Sequence, residues 1–317
     1  MNSYLPNVSY LEKADLALSD LTTGGGLLQP ETAQKFMRIL IDESVVMKLA
    51  TVVPMKSFKM NVPNLRFAGR VLRAGQEAVA LAAADRAKPN VGNVELDAAL
   101  FKAEVRLSNE VLEDNIERDM LKQTIMQLMG EAISRDMDEA IVQSDPASMD
   151  PFLAQLPQGG ILSQSVSNIV DAQTQLLNKN VLKAMLKQMP TPFMRNSTNL
   201  RFLTHNYAEI DYRDTIAGRM TPAGDAALLD RDEATYGGIP ITRVPLFPTA
   251  LGTGANCTDV LLTDPANITV GIWRDIRVET DKDISAGVVI IVASLRFDVR
   301  YAVEQAVVKA INVKVSG

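Results

Sequence analysis

The chain has 317 residues, 32 Lys and Arg against 38 Asp and Glu, a formal net charge of -6, 47% hydrophobic residues, one Cys and one His. One Cys makes no intrachain disulfide, and one Cys with one His builds no Cys/His zinc cage, so disulfide-stabilised secretion and structural zinc are set aside. A pI near 5.1 without a Lys/Arg-rich tail argues against a protein that grips nucleic acid through many phosphates, and contact with DNA should be weak and non-specific. The charged fraction of 22% describes a globular chain of one or two domains. The start, MNSYLPNVSYLEKADLAL, has no basic segment leading into an apolar one. The longest strongly apolar run, Gly287 to Leu295, falls well short of the roughly 20 residues of a membrane span, so a soluble cytoplasmic chain is expected.

The first 23 residues are polar with little periodicity, and Thr22-Thr23-Gly24-Gly25-Gly26 is a flexible break before Leu27-Leu28-Gln29-Pro30, which predicts an extended N-terminal arm over 1–29. Residues 30–55 open on Pro30 and Glu31, carry Phe36, Leu40, Val45 and Leu49 near helical spacing, and break at Val53-Pro54; they predict a short helix. Next, Phe58, Met60 and Val62 alternate with Lys59 and Asn61 as far as Pro63, the period of a half-buried strand. Residues 64–93 interleave Arg66, Arg70, Arg73, Arg86 and Lys88 with Gly69, Gly75, Gly92 and the tract Ala78 to Ala84, leaving few anchors for a private core. Val94, Leu96 and Ala98 alternate in one phase and Phe101, Ala103, Val105 and Leu107 in the other, which predicts one strand bulged near Leu100. Residues 56–107 are thus a long two-stranded flap. Such a ribbon is marginal alone in water, so it should lie on another subunit, with Arg66, Arg70, Arg73 and Glu77 in intersubunit ion pairs.

From Ser108, a candidate N-cap, to Gln143, the residues Leu112, Ile116, Met120, Ile125, Leu128, Ala132, Ile133, Met137 and Ile141 form one helical stripe without an interrupting Pro. Asp145-Pro146 ends it, and Pro151, Pro157 and Gly159-Gly160 mark a boundary. Ser167 to Met189 reads as one or two helices, Leu200 to Thr204 as a strand, 217–235 as loop, and Ile239 to Val244 as a short strand, a mixed α/β lobe over 160–265. Val260 to Leu262, Ile268 to Trp273 and Ile276 to Glu279 should be strands of one sheet. Val288 to Asp298 and Val299 to Ile311 are the most β-rich part of the chain.

Catalytic residue sets are scarce. His205, the only candidate base, follows a predicted strand, no G-x-S-x-G elbow exists, and a hydrogen-bonded structural role fits it better. Cys257 reads as a loop cysteine acting as small filler. Gly252-Thr253-Gly254 has Cys257 where the third glycine of a dinucleotide loop belongs. The clusters Asp136, Asp138, Glu139 and Asp230, Asp232, Glu233 are the candidate metal or acid/base groups, the first expected on the solvent side of the long helix and the second in a loop. The methionines Met120, Met126, Met129 and Met137 are expected in the core. No cofactor, metal or catalytic residue is assigned.

Several segments, in order, resemble the major capsid proteins of tailed bacteriophages with the Hong Kong 97 fold. Gly25-Gly26-Leu27-Leu28-Gln29-Pro30-Glu31, Leu40-Ile41-Asp42-Glu43-Ser44 and Val52-Val53-Pro54-Met55 are similar to that family's passage from N-arm to first helix. Val105-Arg106-Leu107-Ser108-Asn109-Glu110-Val111-Leu112-Glu113-Asp114 resembles the start of its spine helix, and Tyr236-Gly237-Gly238-Ile239-Pro240-Ile241 its Gly-x-Pro-Val turn. Trp273-Arg274-Asp275-Ile276-Arg277-Val278, Ser294-Leu295-Arg296-Phe297-Asp298 and Glu304-Gln305-Ala306-Val307 resemble its closing strands. The resemblance implies an α+β fold with arm, extended loop at 56–107, peripheral domain with spine helix at 108–159, axial domain at 160–265 and closing strands of the peripheral domain at 266–317. It implies hexamers and pentamers closing into an icosahedral shell around double-stranded DNA, with scaffolding, portal and decoration proteins as partners and no membrane. Residence in the virion after assembly in the host cytoplasm follows. Only about two dozen residues precede Gly24, which suggests a separate scaffolding protein or a numbering that begins after cleavage. Lys56, Lys59 and Asn312 give no basis for a covalent crosslink. An encapsulin-like compartment shares the fold, and a cytosolic enzyme with an acidic site at Asp230, Asp232 and Glu233 is the alternative from another class.

Overall fold

The computed structural model describes residues 45–67, 71–75, 80–108, 118–217, 233–252 and 256–316. The expected arm, most of the first helix, Arg70, Glu77, Asp230 and Asp232 lie outside these residues. In chain order the elements are α1 (Val45–Leu49), β1 (Thr51–Met55), β2 (Lys59–Arg66), β3 (Asn90–Asp97), β4 (Ala99–Ser108), α2 (Arg118–Gln143), α3 (Ile161–Gln164) and β5 (Ile169–Asp171). They continue as α4 (Lys179–Gln188), β6 (Arg201–Thr204), α5 (Asn206–Ala217), β7 (Thr235–Tyr236), β8 (Ile239–Arg243), β9 (Cys257–Thr263), β10 (Ile268–Asp283), β11 (Val288–Tyr301) and β12 (Val308–Lys314). Two compact units arise, one including Leu100–Asp136 and Arg274–Arg296, the other Val45–Ala99, Met137–Trp273 and Phe297–Gly317.

Three sheets organise the strands: β1-β10-β11-β4, β5-β12-β9-β6-β8-β7, and the ribbon β2-β3. In the six-stranded sheet every residue of β9 is buried, because β12 and β6 flank its edges and side chains cover both faces. Its core joins Phe202, Val260, Leu262, Val308 and Ala310 to Leu177, Val181, Leu182 and Met185. Asn178 starts α4 by accepting the Asn180 and Val181 N–H groups on Oδ1, at 2.9 and 3.1 Å, and so turns the buried face of that helix inward. The β7–β8 hairpin turns at Gly237-Gly238, both at positive φ (60° and 82°), as a two-residue primed turn requires.

Sequence expectations fail in identifiable places. The alternation over Val94 to Leu107 is two strands, not one bulged strand: β3 pairs with β2 in the ribbon, while β4 joins β11, with Ala98 between them. Both strands keep the same two-residue period, which is why periodicity missed the change of sheet. The expected helices over 167–189 are β5 and α4, and β9 and β10 lie in different sheets. Strand β12, expected among the closing strands, pairs antiparallel with β9 and parallel with β5. Ser108 is the last residue of β4; the stretch 109–117, where its expected cap would act, lies outside the described residues, and the first described residue of the long helix is Arg118. The 26 residues of α2 make a rod of about 39 Å. Met129, Ile133, Met137 and Ile141 are buried along it, but Leu128 of the expected stripe is exposed.

Candidate assembly surface

Among the described residues, the ribbon's buried cluster lies at its base. There Met55, Leu96 and Ala98 are buried with Met60, Val62 and Trp273 against them, and Phe58 meets the Trp273 ring edge-on with centroids 6.3 Å apart. Full register from Lys59↔Asp97 to Arg66↔Asn90 holds the two strands. Pro63 is tolerated because each strand of a two-stranded ribbon has a free edge. Past the base, Phe67, Val71, Leu72 and Leu81 are exposed, Leu72 at 84%. Several large apolar side chains on one exposed segment mark an interaction surface.

Among the described residues, the ribbon's charged side chains pair locally. Across the register Lys59 Nζ lies 2.9 Å from Asp97 Oδ2 and 3.7 Å from Glu95 Oε1, and the hydrogen bond and charge of Asp97 hold its ammonium above the usual lysine value. Arg73 Nε sits 3.6 Å from Asp85 Oδ1 in the same chain, with both side chains about half exposed. A pair this exposed contributes about 0 to 1 kcal/mol and leaves both groups open to a neighbour. Arg66 ends β2 opposite Asn90, and Arg70 and Glu77 fall outside the described residues.

Several of the described residues weighed for chemistry are engaged structurally, while Asp230 and Asp232 lie outside the described residues. His205 precedes α5, and its Nδ1 accepts the Tyr207 N–H at 3.1 Å while its ring packs edge-on against Tyr207; burial lowers its pKa. The imidazole thus caps a helix. Cys257 is buried at the start of β9, opposite Lys314, and not in a loop. Glu233 Oε2 accepts from Arg201 Nη1 at 3.0 Å. Among the described residues no group of three or more His, Cys, Asp and Glu could hold a metal ion. Asn312 is buried, and its amide donates to Asp171 Oδ1 at 3.0 Å, which together with the Gln173 N–H lowers the Asp171 pKa.

Asp138 corrects the solvent-side expectation. It is 4% exposed, and its Oδ2 accepts the Val45 N–H at 2.8 Å from a residue 93 positions earlier. Sequence reasoning also missed Glu209, fully buried on α5, with Oε1 2.5 Å from Arg213 Nε and Oε2 3.1 Å from Arg243 Nε. The Glu209/Arg213 spacing of four is the signal that could have found it, but it lies on a segment to which no helix was assigned. Glu209→Ala strands Arg213, 13% exposed, without its partner, and is expected to cost about 3 to 5 kcal/mol. A lower denaturant midpoint at unchanged slope is the readout.

The sheets, the ribbon and the long helix together are the architecture of capsid proteins with the Hong Kong 97 fold. A chain of the satellite phage P4 procapsid that includes the size determination protein matches with a TM-score of 0.67 at 14% identity, covering 99% of both chains. The encapsulin SrpI of Synechococcus elongatus PCC 7942 matches at 0.56 and 14% identity, over 86% of this chain and 88% of that one. The family model described as the phage capsid family matches residues 24–311. A protein of Bacillus subtilis (strain 168) named as a prophage capsid protein, YqbE, is 36% identical over 312 residues, 97% of this chain and 99% of that protein. The chain belongs to the phage capsid family.

Proposed function

We propose that this chain is the major capsid protein of a tailed phage, building hexamers and pentamers that close into an icosahedral shell around double-stranded DNA. The observation that carries it is the ribbon, which has a buried cluster at its base and exposes Phe67, Val71, Leu72 and Leu81 beyond it, in a chain of the phage capsid family. The role is structural: bury that surface on a neighbour and repeat. The extended loop is the ribbon, α2 belongs to the peripheral domain, and the six-stranded sheet forms the axial domain. Scaffolding, portal and decoration proteins are the expected partners, assembly takes place in the host cytoplasm, and the virion is the destination. The acidic balance of -6 suits a wall that lines DNA without adhering to it.

The likeness to an encapsulin favours one second reading, a compartment holding enzymes. Particles purified from producing cells and treated with nuclease separate the two. Protected double-stranded DNA is expected, and DNA-free particles filled with a cargo enzyme would move the assignment to the compartment.

The ribbon's cations serve the same contact. From Arg66 to Lys88 it carries Arg66, Arg70, Arg73, Arg86 and Lys88 against Glu77 and Asp85, a net charge of 5 - 2 = +3 on a chain whose total is -6. Reversing Arg70 and Arg73 to Glu is expected to cut shell yield several-fold at low salt and less at high salt, since the pairs are screened. Equal yield at all salt concentrations would remove these residues from the interface.

A further inference from the structure

We propose that Asp298 is a proton-held pin at the base of the ribbon: protonated, its carboxyl stays buried and keeps Asp97 on β11; ionised, it favours opening at Ala98, where it gains water. The contacts place it at a joint. Ala98 alone separates β3, in the ribbon, from β4, in the four-stranded sheet. Immediately before it, the Asp97 N–H donates to Asp298 Oδ2 at 2.8 Å, and the Val299 N–H donates to Oδ1 at 2.9 Å. The Ala98 N–H donates to the Phe58 carbonyl at 2.8 Å and closes the ribbon's foot. Asp298 itself is fully buried.

Its charged surroundings are thin. Arg300 Nε lies 3.8 Å from Oδ2 and makes no hydrogen bond. From the ribbon, Asp97 adds a negative charge that Lys59 partly offsets, and Lys59 is shared with Glu95. By the two-residue period of a strand, Arg296 and Arg300 fall on the same face of β11 as Asp298. Two amide donors and one loosely placed guanidinium give a carboxylate less than water does. Burial therefore pushes the Asp298 pKa up to about 6, against the Asp97 and Val299 N–H groups and Arg300, which lower it.

The direction follows from which state keeps the proton. Seated, Asp298 holds it up to about pH 6; opened to water, it releases it near the ordinary aspartate value of about 3.9. The base is held most tightly below that lower value, loosens as pH rises through 6, and levels off above. A single chain suffices for this, so the pin stands or falls independently of shell formation.

Amide hydrogen exchange on the full-length, unassembled chain, corrected for the intrinsic pH dependence of exchange, tests it at Asp97 and Val299. Protection at both is expected to fall about tenfold between pH 5 and 7.5 in the unaltered chain and to stay level in Asp298→Asn. If that variant does not fold, Asp97→Asn supplies the test, because losing the adjacent negative charge shifts the transition to lower pH. Protection that is flat with pH in the unaltered chain, a fall that persists in Asp298→Asn, or an unshifted transition in Asp97→Asn overturns the proposal.

Discussion

Gly160→Ala is expected to remove the soluble folded chain, a loss above about 4 kcal/mol. A Cβ at Gly160 would stand 2.6 Å from the Ile141 carbonyl oxygen, 2.8 Å from that of Val142 and 2.9 Å from the Ser144 N. All three are backbone atoms at the end of α2, so no rotamer change makes room. The Gly160 N–H also donates to the Ser144 carbonyl at 2.6 Å, which fixes the approach. Ile141 and Val142 are fully buried, and moving that turn would disturb the core around them. Soluble yield and thermal unfolding measure the effect; a variant that melts within a few degrees of the parent would show that the corner can open.

Changing Phe67, Val71 and Leu72 together to Ser should separate folding from assembly. These side chains are exposed in the single chain, so its stability should move by less than about 1 kcal/mol. Covered in a shell, each apolar side chain is worth up to about 1.5 to 3 kcal/mol, and the contact repeats in every subunit. Shell yield, read by sedimentation, should therefore fall by more than tenfold while the melting curve of the unassembled chain stays in place. Unchanged yield would mean that the ribbon's apolar residues face solvent in the particle.

Much of this was written locally in the sequence. The spacing of Ile133, Met137 and Ile141 specified a long helix with one buried face, and the β-rich run after Val288 specified β11, whose inward and outward residues alternate. The alternation Phe58, Met60, Val62 gave the ribbon's first strand. Where the outcome depended on distant partners, local pattern misled. Asp138 sits among charges of both signs and looks solvated; it is buried, and its carboxylate accepts the Val45 N–H from 93 residues away. Asp298 accepts, beside its neighbour Val299, the N–H of Asp97, 201 residues earlier, which no local pattern announces. The switch of sheet at Ala98 shows in periodicity only as a change of phase, which a bulge explains equally well because both strands share the two-residue repeat. The ribbon's proposed assembly role was suggested by how few side chains between Gly69 and Gly92 could anchor a private core; the structure adds that Val71, Leu72 and Leu81 among them stand exposed, while Arg70 and Glu77 lie outside the described residues.

Assembly is the central claim, and electron microscopy of the purified full-length protein, expressed alone and together with the proteins encoded beside it, tests it most directly. Closed shells of uniform size, built from six-fold and five-fold capsomers, are the expected result. A monodisperse small species under both conditions, without capsomers or shells, would contradict the account.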